Sequence, residues 1–308
     1  MKVGIVGAGF VGATAAYAIT LRGAATELVL LDADGKKAGA EADDIAHATP
    51  FTARVRVRSG DYEDLAGSRL VVVTAGANQT PGETRTDLLR RNADVLRSVV
   101  PEIARHAPEA VLVVATNPVD AMTSIAERHA RDTGVPRGRV FGTGTMLDTA
   151  RFREAVGRHV GIDAQHVHGY VVGEHGDSEV LAWSSLDVGG RPLEEMCRAV
   201  GVAWGADERS RIEEEVVRAA YRIIEGKKAT YFGVGAAIAR IAEVVLRGQR
   251  AILTVSADDP GYGCALSLPR VVSGDGVGQT IGVSLDRDEL SRLEASAAVL
   301  REHAARLG

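Results

Sequence analysis

The chain has only two cysteines, Cys197 and Cys264, in 308 residues. That is too few for a disulfide framework or a thiolate metal site, and it points to a reducing, cytoplasmic setting. It has no surplus of basic charge either: 36 Lys and Arg face 41 Asp and Glu, for a net charge of −5. With so little to neutralise phosphates, no nucleic-acid partner is expected. No uninterrupted apolar run reaches bilayer length, so no membrane partner is expected. Lys2-Val3-Gly4-Ile5-Val6 enters a strand pattern at once, so no signal peptide is expected. Internal repeats, low-complexity linkers and metal-ligand spacings are also lacking, so no metal is expected. What remains, 45% hydrophobic and 25% charged, is ordinary globular composition on a chain long enough for two domains.

The first half is dense in signal. Residues 2–6 form an apolar strand, Gly7-Ala8-Gly9-Phe10-Val11-Gly12 follows directly, and residues 13–21 read as an Ala-rich helix. A second apolar strand, 28–31, ends in Asp32. Strand, glycine triad, helix and an acid about 20 residues on together make the dinucleotide-binding fingerprint. Gly7 makes the tight turn, Gly9 lets a pyrophosphate approach, and Gly12 permits helix–strand packing, while the helix N-terminus offers free N–H groups to the phosphates. Asp32 suits ribose hydroxyls and would repel a 2′-phosphate, which favours NAD over NADP. Asp32 also has a plainer reading as a strand-end turn residue beside Asp34-Gly35.

The alternation continues: helix at 36–47, extended chain at 55–58, strand at 70–74, and a long helix at 86–106 interrupted at Pro101. A strand at 111–116, a helix to about residue 131, and Val140-Phe141-Gly142 complete the series. Strands alternating with helices imply an α/β fold with a doubly wound parallel sheet, with function collected at the strands' carboxyl ends. Two such ends stand out. Thr74-Ala75-Gly76-Ala77 is small enough for a flat cofactor to pass. Asn117, in Thr116-Asn117-Pro118, could bind a substrate carboxylate or carbonyl, or could cap a helix that has Pro118 at its first position. The division is expected at residues 143/144: 1–143 for the cofactor, and 144–308 as an α+β substrate unit. In that second half, one helix is expected at 207–225, strands at 251–255 and 265–268, and a last helix capped by Asp286 and Glu289. That helix would bury Leu290, Leu293, Ala297, Leu300 and Ala304.

Val172-Gly173-Glu174-His175-Gly176-Asp177-Ser178-Glu179 sets one histidine between glycines and among carboxylates. Imidazole is the side chain best suited to exchange a proton near neutral pH, and flanking glycines leave it uncovered. Taken alone, the octet also fits a solvated surface turn. Its Gly-Glu-His-Gly-Asp-Ser-Glu run resembles the active-site motif of L-lactate dehydrogenases of the bacterial tetrameric type. Related malate dehydrogenases usually lack the Glu before the His and the Ser after the Asp. The resemblance covers essentially the whole chain.

That resemblance implies a cytoplasmic homotetramer that uses NAD to interconvert pyruvate and L-lactate. His175 would be the acid/base, Asp148 its orienting partner, and Arg151 the holder of the substrate carboxylate. By residue type alone, Asp148 and Arg151, three apart on a helix, could equally form an internal salt bridge. The polar stretch Gly76 to Arg85 matches a loop that folds over substrate, with Arg85 polarising the carbonyl. Gln79 occupies the position where malate-specific relatives place an arginine, so a neutral methyl is favoured over a second carboxylate. Arg90 and Arg91 lie farther along the helix and could reach in. Thr230 matches a residue lining the pocket beside the methyl, and could also be an N-cap. Arg153 and His168 match positions where allosteric relatives bind fructose 1,6-bisphosphate between subunits. The rivals are a malate dehydrogenase, a dehydrogenase for branched 2-hydroxy acids, and an NAD-binding protein without chemistry. The last is opposed by His175, Asp148, Arg151 and Arg85 all standing in place.

Overall fold

A computed structural model describes residues 1–77 and 85–306, with residues 85 and 86 described in backbone only. Its centre is a nine-stranded sheet. The first six strands are β1 (Lys2–Val6), β2 (Glu27–Leu31), β3 (Arg56–Ser59), β4 (Ser68–Val73), β5 (Val111–Val114) and β6 (Val140–Gly142). They lie parallel in the order β3-β2-β1-β4-β5-β6. This is the doubly wound order, with its switch point between β1 and β4. Alternate residues face opposite layers. Val3, Ile5, Leu28, Leu30, Leu70, Val72, Val111 and Val113 join one core, and Val29, Leu31, Val71, Val73, Leu112 and Val114 join the other. Both faces are covered by helices, so these strands read as unbroken apolar runs.

Helices α1 (Phe10–Leu21), α2 (Gly35–Ala48), α3 (Arg85–His106) and α4 (Val119–Asp132) connect the strands. α3 runs straight through Pro101 instead of breaking there. A proline inside a helix costs about 3 kcal/mol, but the stripe Leu89, Ala93, Leu96, Val100 and Ile103 is buried on both sides of it and carries the helix past.

The second half begins with α5 (Met146–Val160). It continues through the short strands β7 (Val167–His168), β8 (Val171–Val172), β9 (Val180–Leu181), β10 (Asp187–Val188) and β11 (Arg191–Pro192), then α6 (Leu193–Val200). The single helix expected at 207–225 is two, α7 (Ala206–Val217) and α8 (Ala219–Lys227), joined at Arg218. α7 buries Ile212 and Val216, whereas α8 buries nothing, so no common apolar face holds them in line. α9 (Phe232–Leu246) returns to the first half and packs in the core with α1. β12 (Ala251–Asp259), β13 (Cys264–Ser273) and the unforeseen β14 (Gly276–Thr280) extend the large sheet antiparallel. They join it through Ser256 opposite Gly142. α10 (Arg287–Ala305) has the expected capping box of Asp286 and Glu289. It buries Leu293, Ala297 and Leu300, but Leu290 is 45% exposed. Glu289 and Ser296 are buried instead, because each holds a backbone N–H of the neighbouring segment.

Among the described residues no single helix is long and apolar enough to cross a membrane. Cys197 and Cys264 are both free and buried.

Candidate active site

The glycine loop is closed by contacts that admit no side chain. Gly7 sits at φ +106, and a Cβ there would lie 2.5 Å from Ala75 N. At Gly12 a Cβ would lie 1.9 Å from Gly7 O. Thr74 Oγ1 donates to that same carbonyl at 2.6 Å, which ties the end of β4 to the loop. Gly9 differs: a Cβ there would meet only Lys37 Nζ, at 3.9 Å. The turn is therefore rigid at its base and open at its crest, the shape a pyrophosphate requires, and it leads into the N-terminus of α1. Asp32 accepts from the N–H groups of Ala8 at 2.7 Å and Asp34 at 3.0 Å. It anchors the turn at the end of β2, as the plainer reading of it expected. Val11 is partly buried, while Phe10 is 68% exposed and stacks on Tyr231.

At the end of β5, Asn117 precedes Pro118 through a cis peptide bond. Asn117 is not a helix cap; Pro118 holds that place without a side-chain bond. Asn92 on α3 spans the gap, its amide accepting from Ala77 N–H at 2.7 Å and donating to Asn117 O at 2.8 Å. Thr116 Oγ1 donates to Ala75 O at 2.7 Å. Ala75, Gly76, Thr116 and Asn117 thus form one floor beside the glycine loop.

Across from it, α5 is pinned by Thr145 and Thr149, which bond to Val171, Ser267 and Thr254. Its first turn then presents Asp148. One carboxylate oxygen accepts from His175 Nδ1 at 2.5 Å and the other from Arg151 Nη1 at 2.7 Å. The Asp148/Arg151 spacing thus gives the internal salt bridge, and the same carboxylate also holds His175. A carboxylate can only accept, so the proton lies on Nδ1 and Nε2 faces outward. Among the described residues Nε2 has no partner.

The backbone of His175 is held as well. Its N–H donates to Asp120 Oδ2 at 2.8 Å, and Ser256 Oγ donates to Oδ1 of the same carboxylate at 2.6 Å. Asp120 is buried, which pushes its carboxyl up to about 6 against those two hydrogen bonds. Glu179 is buried nearby, and burial with the Asp148 charge pushes it to about 9. For His175, burial alone favours the neutral ring. The charge and hydrogen bond of Asp148, with Asp120 and Glu179 behind, outweigh it and raise the imidazole to about 9. Asp148 is held below the usual carboxylate range: burial opposes this, but the neighbouring imidazolium and Arg151 prevail.

Thr230 is partly buried ahead of α9, yet Tyr231 stands at the cap position, so Thr230 does not cap the helix. Arg153 Nε donates to Gly169 O at 3.0 Å, and its guanidinium lies over the Tyr170 ring. Burial depresses its pKa. His168, one residue before Gly169, is exposed. Gln79 and the side chain of Arg85 fall outside the described residues.

The sequence did not reveal Asp120, Ser256 or Asn92. An acid in a helix's first turn and a serine in a strand carry no mark. Asn92 did: it lies three after Leu89 and four before Leu96, a polar residue on an apolar face.

A family model described as lactate/malate dehydrogenase, NAD binding domain, matches residues 1–142. A second, described as lactate/malate dehydrogenase, alpha/beta C-terminal domain, matches residues 145–306. The chain is 55% identical to an L-lactate dehydrogenase of Chloroherpeton thalassium, over 98% of each chain. It is 54% identical to those of Deinococcus radiodurans and Thermus aquaticus, over 100% of each chain. Among solved structures, a lactate dehydrogenase from a Medee basin deep-sea metagenome library superposes with TM-score 0.94 at 39% identity, covering 99% of this chain and 98% of that one. The minor L-lactate dehydrogenase of Enterococcus mundtii gives TM-score 0.95 at 40% identity, covering 100% and 98%. Matched in both halves and built on a dinucleotide-binding sheet, the chain belongs to the lactate/malate dehydrogenase family and is an NAD-dependent oxidoreductase.

Proposed function

We propose that this enzyme interconverts pyruvate and L-lactate with His175 as acid and base. The observation that carries the reading is the sharing of Asp148 between His175 and Arg151. One carboxylate fixes both the proton donor and the anion holder, and His175 is tied through Asp120 to the segment that follows the end of β5.

The cofactor would be held by Gly7, Gly9, Phe10, Val11, Gly12, Asp32, Thr74, Ala75, Gly76 and Asn117, the loop and floor built above. Bound NADH supplies the hydride that reduces the keto carbon. Arg151 has one guanidinium edge on Asp148 and holds the substrate carboxylate with its remaining N–H groups, a task suited to a planar fork. His175 directs Nε2–H at the keto oxygen and gives up that proton as the alcohol forms. In the reverse direction it takes the hydroxyl proton. Asp148 steadies the imidazolium in the protonated state and keeps the tautomer fixed in the neutral one. Asn117 orients the carbonyl, Arg85 polarises it, and exclusion of water strengthens both contacts. Thr230 borders the substrate methyl, and a neutral Gln79 leaves no cation for a second carboxylate.

The same reading divides the chain at residues 143/144 into cofactor and substrate units and places the enzyme in the cytoplasm as a homotetramer. Tyr17, Leu21, Tyr221, Ile223 and Ile224 are all exposed, apolar surface that favours assembly. Arg153 and His168 would bind fructose 1,6-bisphosphate between subunits. The support for that is a half-buried guanidinium fixed one residue from an exposed histidine.

The test is NADH oxidation with pyruvate and with oxaloacetate, each with and without the bisphosphate. The expected result is a large preference for pyruvate, and activation that is lost in an Arg153→Gln, His168→Ala variant. Preference for oxaloacetate would make the enzyme a malate dehydrogenase, with Arg90 or Arg91 supplying the cation. Activation unchanged in the double variant would remove the effector site.

A further inference from the structure

Around His175 lies a set of ligand atoms of which proton transfer uses two and leaves over the third, on Glu179. A ring nitrogen of His175, a carboxylate oxygen of Asp148 and one of Glu179 lie within 4.8 Å of one another. Glu179 is only 5% exposed, and its Oε1 has no hydrogen-bond partner among the described residues. A buried carboxyl left this way is uncommon, since buried polar atoms nearly always find partners. His175 and Asp148 have each other, and Asp148 also has Arg151. Glu179 is the member of the set with capacity to spare.

We propose that Asp148, His175 and Glu179 form an inhibitory site for a zinc-type divalent cation. One imidazole nitrogen and two carboxylate oxygens make a borderline donor set. Three protein ligands with a fourth position left to water is a common zinc arrangement. Magnesium and calcium are poor fits, because they ask for six or more oxygens and gain little from imidazole. Around a tetrahedral ion with bonds near 2.0 Å, ligand atoms stand about 3.3 Å apart. The 2.5 Å contact between His175 and Asp148 must therefore open by under about 1 Å while Glu179 draws in. Entry is from the substrate cleft, where the His175 side chain keeps a quarter of its surface exposed while that of Asp148 keeps 2%.

The balance is simple. The cation takes the lone pair of Nδ1 and one oxygen from each carboxylate, and the protons on Nδ1 and on Glu179 leave to solvent. Nε2–H remains, but on a metal-bound neutral ring it is a weaker proton donor than on an imidazolium. The ring is also drawn off the line that Asp148 set for it, so reduction slows.

Binding stands on the ligand geometry alone, whereas the inhibitory consequence rests on the acid/base reading of His175. The experiment therefore has two arms. Equilibrium dialysis of the chelator-washed full-length enzyme against zinc chloride counts ions per subunit. NADH oxidation with pyruvate, scaled to each variant's own zinc-free rate, gives the zinc concentration for half inhibition. The wild type should hold one cleft-bound ion per subunit, with inhibition reversed by EDTA and not reproduced by magnesium chloride. In Glu179→Gln that ion should bind at least tenfold more weakly, and half inhibition should need at least tenfold more zinc. Glu179→Ser repeats the test should the first variant fold poorly. Equal binding in wild type and both variants would overturn the site, and would assign the zinc to surface groups such as His106 with Glu102. If the enzyme proves inactive on pyruvate, the dialysis arm still decides the site and the failure falls on the acid/base reading.

Discussion

The two walls of the crevice are built from different materials. On the cofactor wall the chain contributes mostly backbone: Gly7, Gly9 and Gly12 shape the turn, and Ala75, Gly76, Thr116 and Asn117 form the floor. On the substrate wall, charged side chains from separate segments gather: Asp120, Asp148 and Glu179 are buried, and Arg151 and His175 are half-buried against them. A backbone site works by shape and by dipoles that burial does not perturb. A side-chain site works by shifted ionisation, and each of its groups depends on its neighbours. Damage should therefore be local and steric on the first wall, and shared and electrostatic on the second.

The largest effect expected from a change on the substrate wall comes from Asp148→Asn. It frees His175 and Arg151 together while leaving the opposite wall untouched. Steady-state kinetics should show kcat/KM for pyruvate falling by about 10⁴, the scale seen when the orienting acid of a histidine base becomes an amide. NADH affinity, followed by nucleotide fluorescence, should stay within about twofold, less than 0.5 kcal/mol. A matching loss of NADH affinity would erase the distinction between the walls.

The glycines supply the converse. Gly12→Ala sets a methyl group 1.9 Å from the Gly7 carbonyl and should cost both fold and cofactor. Gly9→Ala meets nothing closer than 3.9 Å. Its melting temperature should therefore move by no more than about 2 °C. Its NADH affinity should fall at least about tenfold, or 1.4 kcal/mol, because the methyl group occupies the pyrophosphate's approach. If Gly9→Ala binds NADH normally, the phosphates lie elsewhere.

A smaller change tests the coupling on the substrate wall. Ser256→Ala removes one of two hydrogen bonds to the buried Asp120 carboxylate. Thermal unfolding should show a loss of about 1–3 kcal/mol. Asp120 is raised from its ordinary 3.8 to about 6, so it is neutral in the folded chain at pH 5 and charged at pH 8. The loss should thus be greater at pH 8, where a charged group is stripped. Equal losses at both pH values would mean Asp120 does not ionise in place.

The same contrast explains what the sequence told and withheld. The glycine loop, Asp32 and the parallel strands were legible because spacing and apolar runs are local properties. His175 stood out through its glycines, and Asp148 and Arg151 through resemblance to known dehydrogenases. Asp120 and Ser256 stayed hidden, since Asp120 meets His175, and Ser256 meets Asp120, only once α4, β12 and the 173–176 turn converge. No pattern within a single segment records that meeting. The joint at Arg218 and the strand β14 were missed for a related reason: each depends on which neighbour covers the segment. The return of α9 to the first core is likewise a tertiary fact, carried by Ile238, Ala239, Ile241 and Ala242 against α1.

The central claim is that a histidine held by Asp148 gives and takes the proton. His175 is raised from 6.5 to about 9, so the pair's contribution to stability is present below pH 6.5 and is lost as pH climbs through 9. Activity should follow the same group. The most direct measurement is kcat/KM for pyruvate with NADH from pH 6 to 10.5. It should be level up to about 9 and then fall about tenfold per pH unit as the imidazolium disappears. A rate that stays level to pH 10.5, or that breaks near the ordinary imidazole value of 6.5, would contradict the role assigned to the His175–Asp148 pair.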